Sequence, residues 1–312
     1  MDPAIVVHAG AGLVAPERHA RLRAACREAA AAGHAILAAG GTALDAAVAA
    51  VRVLEDNPET NAGRGSVLTR EQTIETDAAV MDGASQRVGA VAAVPSFGQA
   101  IALARAVLDE GEHAILAGAP ALALAIERGL SPEPAGSLVT ERAYRRWCEE
   151  AVKRGAIDPE DVDVILRAQR EKEGGTVGAV ARDREGRFAA ATSTGGINYK
   201  RSGRVGDSPI PGAGTWADAR CAISATGDGE AILRVALAHS IAMHARHGAP
   251  LDRAVRDALG ELRAITHGSA GVIAIDAGGR VFAQLSPTMP VGWVDAGGAG
   301  DSMGQPIAWP IE

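Results

Sequence analysis

The chain has 312 residues, 47% of them hydrophobic, and carries 31 basic against 38 acidic side chains, a formal net charge of −7. That length buries a sizeable core, as one large domain or two, and the acidic balance, with no long Lys/Arg block, argues against broad contact with nucleic acid or an anionic membrane. Cys26, Cys148 and Cys221 are far apart and form no CxxC, and the eight histidines have no metal-ligand spacing, which argues against a disulfide framework or a zinc site.

The opening MDPAIVVH carries an acid and enters a short strand, with neither a basic nor an apolar leader region. The longest apolar tracts fall well short of the roughly 20 residues a membrane span needs, so a cytoplasmic protein without a membrane partner is expected. Residues 5–8 read as a strand ending in the small turn Ala9-Gly10-Ala11-Gly12, with no phosphate-loop pattern after it. Residues 17–39 have helical composition, and Thr42 caps a second helix over 43–54 with Asp45 in its first turn.

The loop over 54–67 is dense in turn formers, which suits either a bound cation such as sodium or simply a rigid loop. A hairpin is expected over 66–69 and 73–76, a strand over 88–94, and helices over 97–108 and 120–128. Composition shifts to Pro, Gly and Ser over 131–136 and becomes strongly charged over 140–173. That stretch is the linker candidate, about 131–175, with exposed helices expected over 142–154 and 159–172.

Gly174-Gly175-Thr176 then runs into the apolar stretch Val177 to Ala181, a strained loop leading directly into a strand. A hydroxyl at that junction can attack the carbonyl of the residue before it and split the chain. Thr176 would then carry a free α-amine able to act as base for its own hydroxyl. Further strands are expected over 188–194, 220–225, 270–276 and 280–285, and helices over 230–247 and 251–266. Strands and helices in runs, with hairpins in both halves, predict an α+β layered sandwich rather than a doubly wound parallel sheet.

Three later segments present polar side chains beside glycines: Thr194 before Gly195-Gly196, Arg204 with Asp207, and Thr226 with Gly227 and Gly229. Arg204 can grip a carboxylate, Asp207 can pair with an ammonium, and the Thr226 hydroxyl with the Gly227 N–H can hold an oxyanion. Arg204 and Asp207 can equally form a salt bridge with each other.

Together GTVGAVA at 175–181, STGG at 193–196, GRVGDSP at 203–209 and TGDGE at 226–230 resemble the motif series of the plant-type asparaginase and isoaspartyl peptidase family of N-terminal nucleophile hydrolases. VHAGAG at 7–12, Leu54-Glu55, NAG at 61–63 and the segment 77–83 follow in the family order. The resemblance implies a four-layer αββα fold and autoproteolysis between Gly175 and Thr176. It divides the chain into an α subunit, 1–175, and a β subunit, 176–312, within one domain, and implies a dimer of αβ heterodimers. By the same resemblance Thr176 is the nucleophile, Thr194 supports its hydroxyl and Asn61 bonds near the new amine. Thr226 and Gly227 form the oxyanion hole, Arg204 binds the substrate α-carboxylate, and Asp207 with the Gly229 carbonyl holds its α-amine. It also implies a sodium ion on the backbone carbonyls of Leu54, Glu55, Asn57, Thr60, Ala62 and Arg64, and no catalytic cofactor. Tyr199 and Arg201 depart from the family run after Gly196 and bear on the leaving-group side, or Tyr199 serves loop packing. The activity implied is cleavage of β-aspartyl dipeptides and L-asparagine; a glycosylasparaginase, a preference for β-Asp-Arg or β-Asp-Lys, and an uncleaved amino-acid-binding protein are the alternatives.

Overall fold

Continuous runs of Val, Ile and Ala form the central strands, because a strand covered on both faces needs no polar alternation. In a computed structural model describing residues 1–134, 136–158 and 175–307, β1 (Ala4–His8), β5 (Val177–Arg182) and β6 (Phe188–Thr194) are buried at every position. They belong to an eight-stranded sheet with β2 (Glu75–Asp82), β3 (Arg87–Pro95), β4 (Ile115–Ala117), β11 (Val291–Asp295) and β12 (Gly298–Ser302). The order is β12-β11-β1-β5-β6-β2-β3-β4, antiparallel except for β3 with β4. A second, antiparallel sheet runs in the order β10 (Arg280–Gln284), β9 (Ala270–Asp276), β8 (Cys221–Gly227), β7 (Thr215–Ala217).

Three of the four apolar clusters among the described residues join the layers. One joins the large sheet to α1 (Pro16–Ala38), α2 (Ala43–Asp56) and α3 (Ala100–Glu110). A second lies between the sheets, where Val6, Val180 and Phe188 meet Ala222, Ile273 and Ile275. The third joins the small sheet to α7 (Leu237–Arg246) and α8 (Leu251–Thr266). The site described below lies where strand ends of the two sheets meet.

Several expectations need correction. The hairpin over 66–76 is absent as a pair of strands: a turn closes there, with Thr69 N–H donating to Thr73 O at 2.8 Å, and Thr69 bridges to Lys200 instead. The helix expected over 230–247 breaks at Ala236, at φ +45°, into α6 (Gly229–Val235) and α7. The first N–H groups of α7 donate to distant carbonyls, Ala238 to Ala213 O and His239 to Gly212 O, so the break is set by a tertiary contact. α5 (Glu141–Lys153) is not an exposed helix: Ala143, Trp147, Cys148 and Ala151 form one buried face, three of them packed with Leu68, Ile74 and Leu138. α4 (Ala121–Glu127) fits its expected span. The helix expected over 159–172 lies outside the described residues. β4, β7, β11 and β12 were not anticipated, being three to five residues long. Among the described residues no helix is long and apolar enough to cross a membrane.

Candidate active site

The register of β5 against β6 builds the centre of the site. Val177 lies opposite Ser193, so Thr176, one residue before β5, comes beside Thr194 at the end of β6. The Thr176 hydroxyl donates to Thr194 Oγ1 at 3.2 Å and lies 3.4 Å from Ser208 Oγ. Its backbone N–H points to Thr226 Oγ1, 3.4 Å away, at the end of β8. Thr176 is 8% exposed, while Thr194, Ser208 and Thr226 are at most 2% exposed. Four neutral hydroxyls therefore meet at Thr176, between Gly175 and the buried strand β5.

More hydroxyls lie under this group. Ser224 Oγ is 3.0 Å from His8 Nε2 and 2.9 Å from Thr192 Oγ1, and Thr215 Oγ1 donates to Thr192 Oγ1 at 2.7 Å. Gly10 N–H donates to His8 Nδ1 at 3.3 Å, which leaves the proton on Nε2 to donate to Ser224. Burial pushes the His8 pKa down to about 3, so this imidazole is neutral at any ordinary pH. Gly178 faces the cluster from β5, and a side chain there would collide with Ser224 Oγ and His8 Nε2.

The charged groups sit to one side. Arg204 does not salt-bridge Asp207; its Nε and Nη2 grip the two Glu230 carboxylate oxygens at 3.0 and 2.8 Å. Asp207 is buried, its Oδ2 has no hydrogen-bond partner among the described residues, and desolvation pushes its pKa up to about 7. Gly229 fits between the two groups, since a Cβ there would stand 2.8 Å from both Arg204 Nη2 and Asp207 Oδ1. Asp77 and Lys200 are also buried near Arg204, and desolvation shifts Asp77 up and Lys200 down, each opposed by the other's charge.

Asn61 reaches the centre from the loop after α2. Its backbone carbonyl accepts from Gly195 N at 2.9 Å, its Nδ2 donates to Gly196 O at 2.8 Å, and its Oδ1 accepts from Val67 N at 2.9 Å. The side chain is thus committed to the Gly195-Gly196 turn and to Val67, and its Cβ would stand 3.9 Å from a Cβ built on Gly175. Four of the six carbonyls read as sodium ligands accept hydrogen bonds from the chain itself. Thr60 Oγ1 donates to Leu54 O at 2.6 Å and lies 2.9 Å from Asn57 O, while Arg64 N–H takes Glu55 O and Arg142 takes Thr60 O, both at 2.8 Å. A carbonyl oxygen has two lone pairs, so the loop could still hold a cation, and the proposed chemistry runs through none.

The comparison with known proteins accords with this geometry. A profile of the family described as asparaginase matches residues 1–301. The chain belongs to the asparaginase family. A protein of Bos taurus named isoaspartyl peptidase/L-asparaginase is 41% identical over 290 residues, covering 92% of this chain and 91% of the relative. Its counterpart in Danio rerio is 40% identical over 297 residues, covering 95% and 93%. An isoaspartyl peptidase of Salmonella typhimurium is 39% identical over 286 residues, covering 89% and 90%.

In this asparaginase-family chain the structure brings Thr176, Thr194 and Thr226 together, sets Arg204, Asp207 and Gly229 beside one another, and has Asn61 and Gly175 line one small cavity. Sequence reasoning missed Ser208, although it stands inside the GDSP segment beside Asp207. It also missed Glu230 as the partner of Arg204, and the buried hydroxyls of Thr192, Thr215 and Ser224, whose strand positions look like ordinary core. Tyr199 turns out to be a packing residue: its ring lies 5.8 Å from that of Trp147, and the Arg154 guanidinium sits over it at 5.2 Å.

Proposed function

We propose that the chain is an autoprocessing N-terminal nucleophile hydrolase that cuts the side-chain amide of aspartyl units, in β-aspartyl dipeptides and L-asparagine, releasing L-aspartate. The observation that carries this reading is the convergence of the Thr194 and Ser208 hydroxyls, at 3.2 and 3.4 Å, on the hydroxyl of the residue that follows Gly175. The activity named for the relatives supports the choice of substrate.

Maturation begins when Thr176 Oγ1 adds to the Gly175 carbonyl and the Gly175–Thr176 amide becomes an ester. Water then hydrolyses the ester, leaving a carboxylate on Gly175 and an amine on Thr176. The products are an α subunit, 1–175, and a β subunit, 176–312, within one four-layer αββα domain, and two such αβ units pair. In turnover the Thr176 amine accepts the proton of its own hydroxyl, and Oγ1 attacks the β-carbonyl of the aspartyl unit. The Thr226 hydroxyl and the Gly227 N–H donate to the oxyanion, a role in which one donor is worth about 10²–10³ in rate. The proton passes to the departing amine, and water hydrolyses the acyl-enzyme to free aspartate. Arg204 takes the substrate α-carboxylate once Glu230 releases it, and Asp207 with the Gly229 carbonyl takes the ammonium. Thr194 keeps the nucleophile in place, and Asn61 holds the turn beside the scissile residue. All of these groups belong to the chain, so the chemistry calls for no cofactor, and a cytoplasmic setting suits three unbridged cysteines.

Intact mass and a denaturing gel after incubation, for the wild type and Thr176→Ala, test the reading. The wild type should yield two fragments with a break before Thr176 and should release aspartate from a β-aspartyl dipeptide. The variant should stay whole and inert, and self-cleavage by Thr176→Ala would remove Thr176 from the mechanism.

A further inference from the structure

One guanidinium nitrogen reaches across the fold to the loop that carries Asn61. Arg142 Nη2 lies 3.2 Å from Pro58 O, 2.8 Å from Thr60 O and 3.2 Å from Gly65 O. An –NH2 group has two hydrogens, so three carbonyl contacts share them and the attraction is largely that of a positive charge for three dipole ends. The backbone forces these carbonyls together. Gly65 has φ +97°, and a Cβ there would stand 2.7 Å from both Pro58 O and Thr60 O. Without a cation the three oxygens would repel one another.

We propose that Arg142 is a built-in cation for this loop and thereby a positioning residue for Asn61, both in maturation and in turnover. The proposal rests on the reading of Thr176 as nucleophile. Arg142 is launched from a fixed base: Thr140 caps α5 through Ala143 N–H at 3.2 Å, and Trp147 Nε1 donates to Thr69 O at 2.8 Å one turn further on. From there its charge brackets Asn61, gripping the carbonyl before it and that of Gly65 after it. Asn61 in turn holds Gly195, Gly196 and Val67, so a shift of the loop moves the turn that follows Thr194. The scissile side is reached too. Asn61, Arg142 and Gly175 line one cavity of about 20 Å³, room for one water molecule. A loosened loop is therefore felt at Gly175 itself.

The test is a double-mutant cycle on the full chain, with Arg142→Met, Asn61→Ala and the pair, read by the half-time of fragment formation and by kcat and KM on a β-aspartyl dipeptide. Arg142→Met should slow both processes tenfold or more, mainly through kcat, and should add less than about twofold in the Asn61→Ala background, because the two residues act through one loop. Effects that multiply in the pair, or a wild-type rate in Arg142→Met, would overturn the proposal. Should Arg142→Met not fold, the uncharged Arg142→Gln enters the same cycle under the same criterion, while Arg142→Lys, whose ammonium can approach the three carbonyls as a point charge, should recover most of the rate; a Lys variant as slow as the uncharged one would overturn the role of the charge. Loss of cleavage in Thr176→Ala serves as the control: if that variant still cleaves, the reading of the nucleophile fails, whatever Arg142 does.

Discussion

The hydroxyl floor of the site and its ionic rim are held by different physics. Thr176, Thr194, Ser208 and Thr226 are buried and neutral, Thr176 and Thr194 placed by the β5–β6 register, Thr226 by β8 and Ser208 by a turn, so none of these hydroxyls carries a charge that salt or pH would change. The rim depends on charges. Arg204 is spoken for by Glu230, whose carboxylate stays 58% exposed, and a half-exposed pair of this kind is worth about 1 kcal/mol at most. A substrate carboxylate in the same fork of donors can therefore displace it at little cost. In the proposed mechanism the contrast separates a covalent apparatus assembled in advance from a recognition element that exchanges one carboxylate for another.

That contrast makes predictions of decreasing size. Arg204→Met removes the bidentate grip on the substrate and should lower kcat/KM on a β-aspartyl dipeptide about 100-fold, mostly through KM, while fragment formation keeps its rate. Lost maturation with an unchanged KM would place Arg204 in the floor instead. The second prediction concerns Asp207. Its pKa is raised from 3.8 to about 7, and an ammonium pairs with the ionised form. The kcat/KM should therefore rise about tenfold per unit as pH approaches 7 and level off above it. Stability runs the other way. Between pH 3.8 and about 7 the native chain holds a proton that the unfolded chain has lost, so stability falls as pH rises through that window, on the order of 4 kcal/mol in all. Thermal melts of Thr176→Ala with and without Asp207→Asn measure this, and equal pH slopes in the two would discard the assignment. The smallest effect is expected at Ser208. Its hydroxyl lies 3.4 Å from that of Thr176, so Ser208→Ala should slow maturation and turnover about fivefold, the size of one modest hydrogen bond. Unchanged rates would reduce Ser208 to packing.

Much of the floor was legible in the chain. Gly175-Thr176 before a run of small apolar residues reads as a loop entering a buried strand, and β6, α8 and β9 occupy the spans their patterns predict. The Thr42 cap of α2 formed as read, its side chain accepting from Asp45 N at 3.1 Å. The rim was legible only in part. Arg204 and Asp207, three residues apart, suggest mutual pairing, yet Arg204 turns to Glu230, which the end of β8 and the start of α6 bring beside it. α5 was misread because its charged residues dominate its composition, while its apolar positions make one narrow face for Leu68, Ile74 and Leu138.

The sequence by itself determined the local events: where strands and caps begin, where glycine permits a sharp turn, and which hydroxyl follows Gly175. These depend on backbone sterics and on hydrophobic period within a few residues. Only the tertiary structure decided which distant groups meet: Ser208 with Thr176, Arg204 with Glu230, Arg142 with the carbonyls around Asn61, and the break at Ala236. A short-range pattern carries no record of partners tens of residues away, because those distances arise only when the strand ends and helices pack.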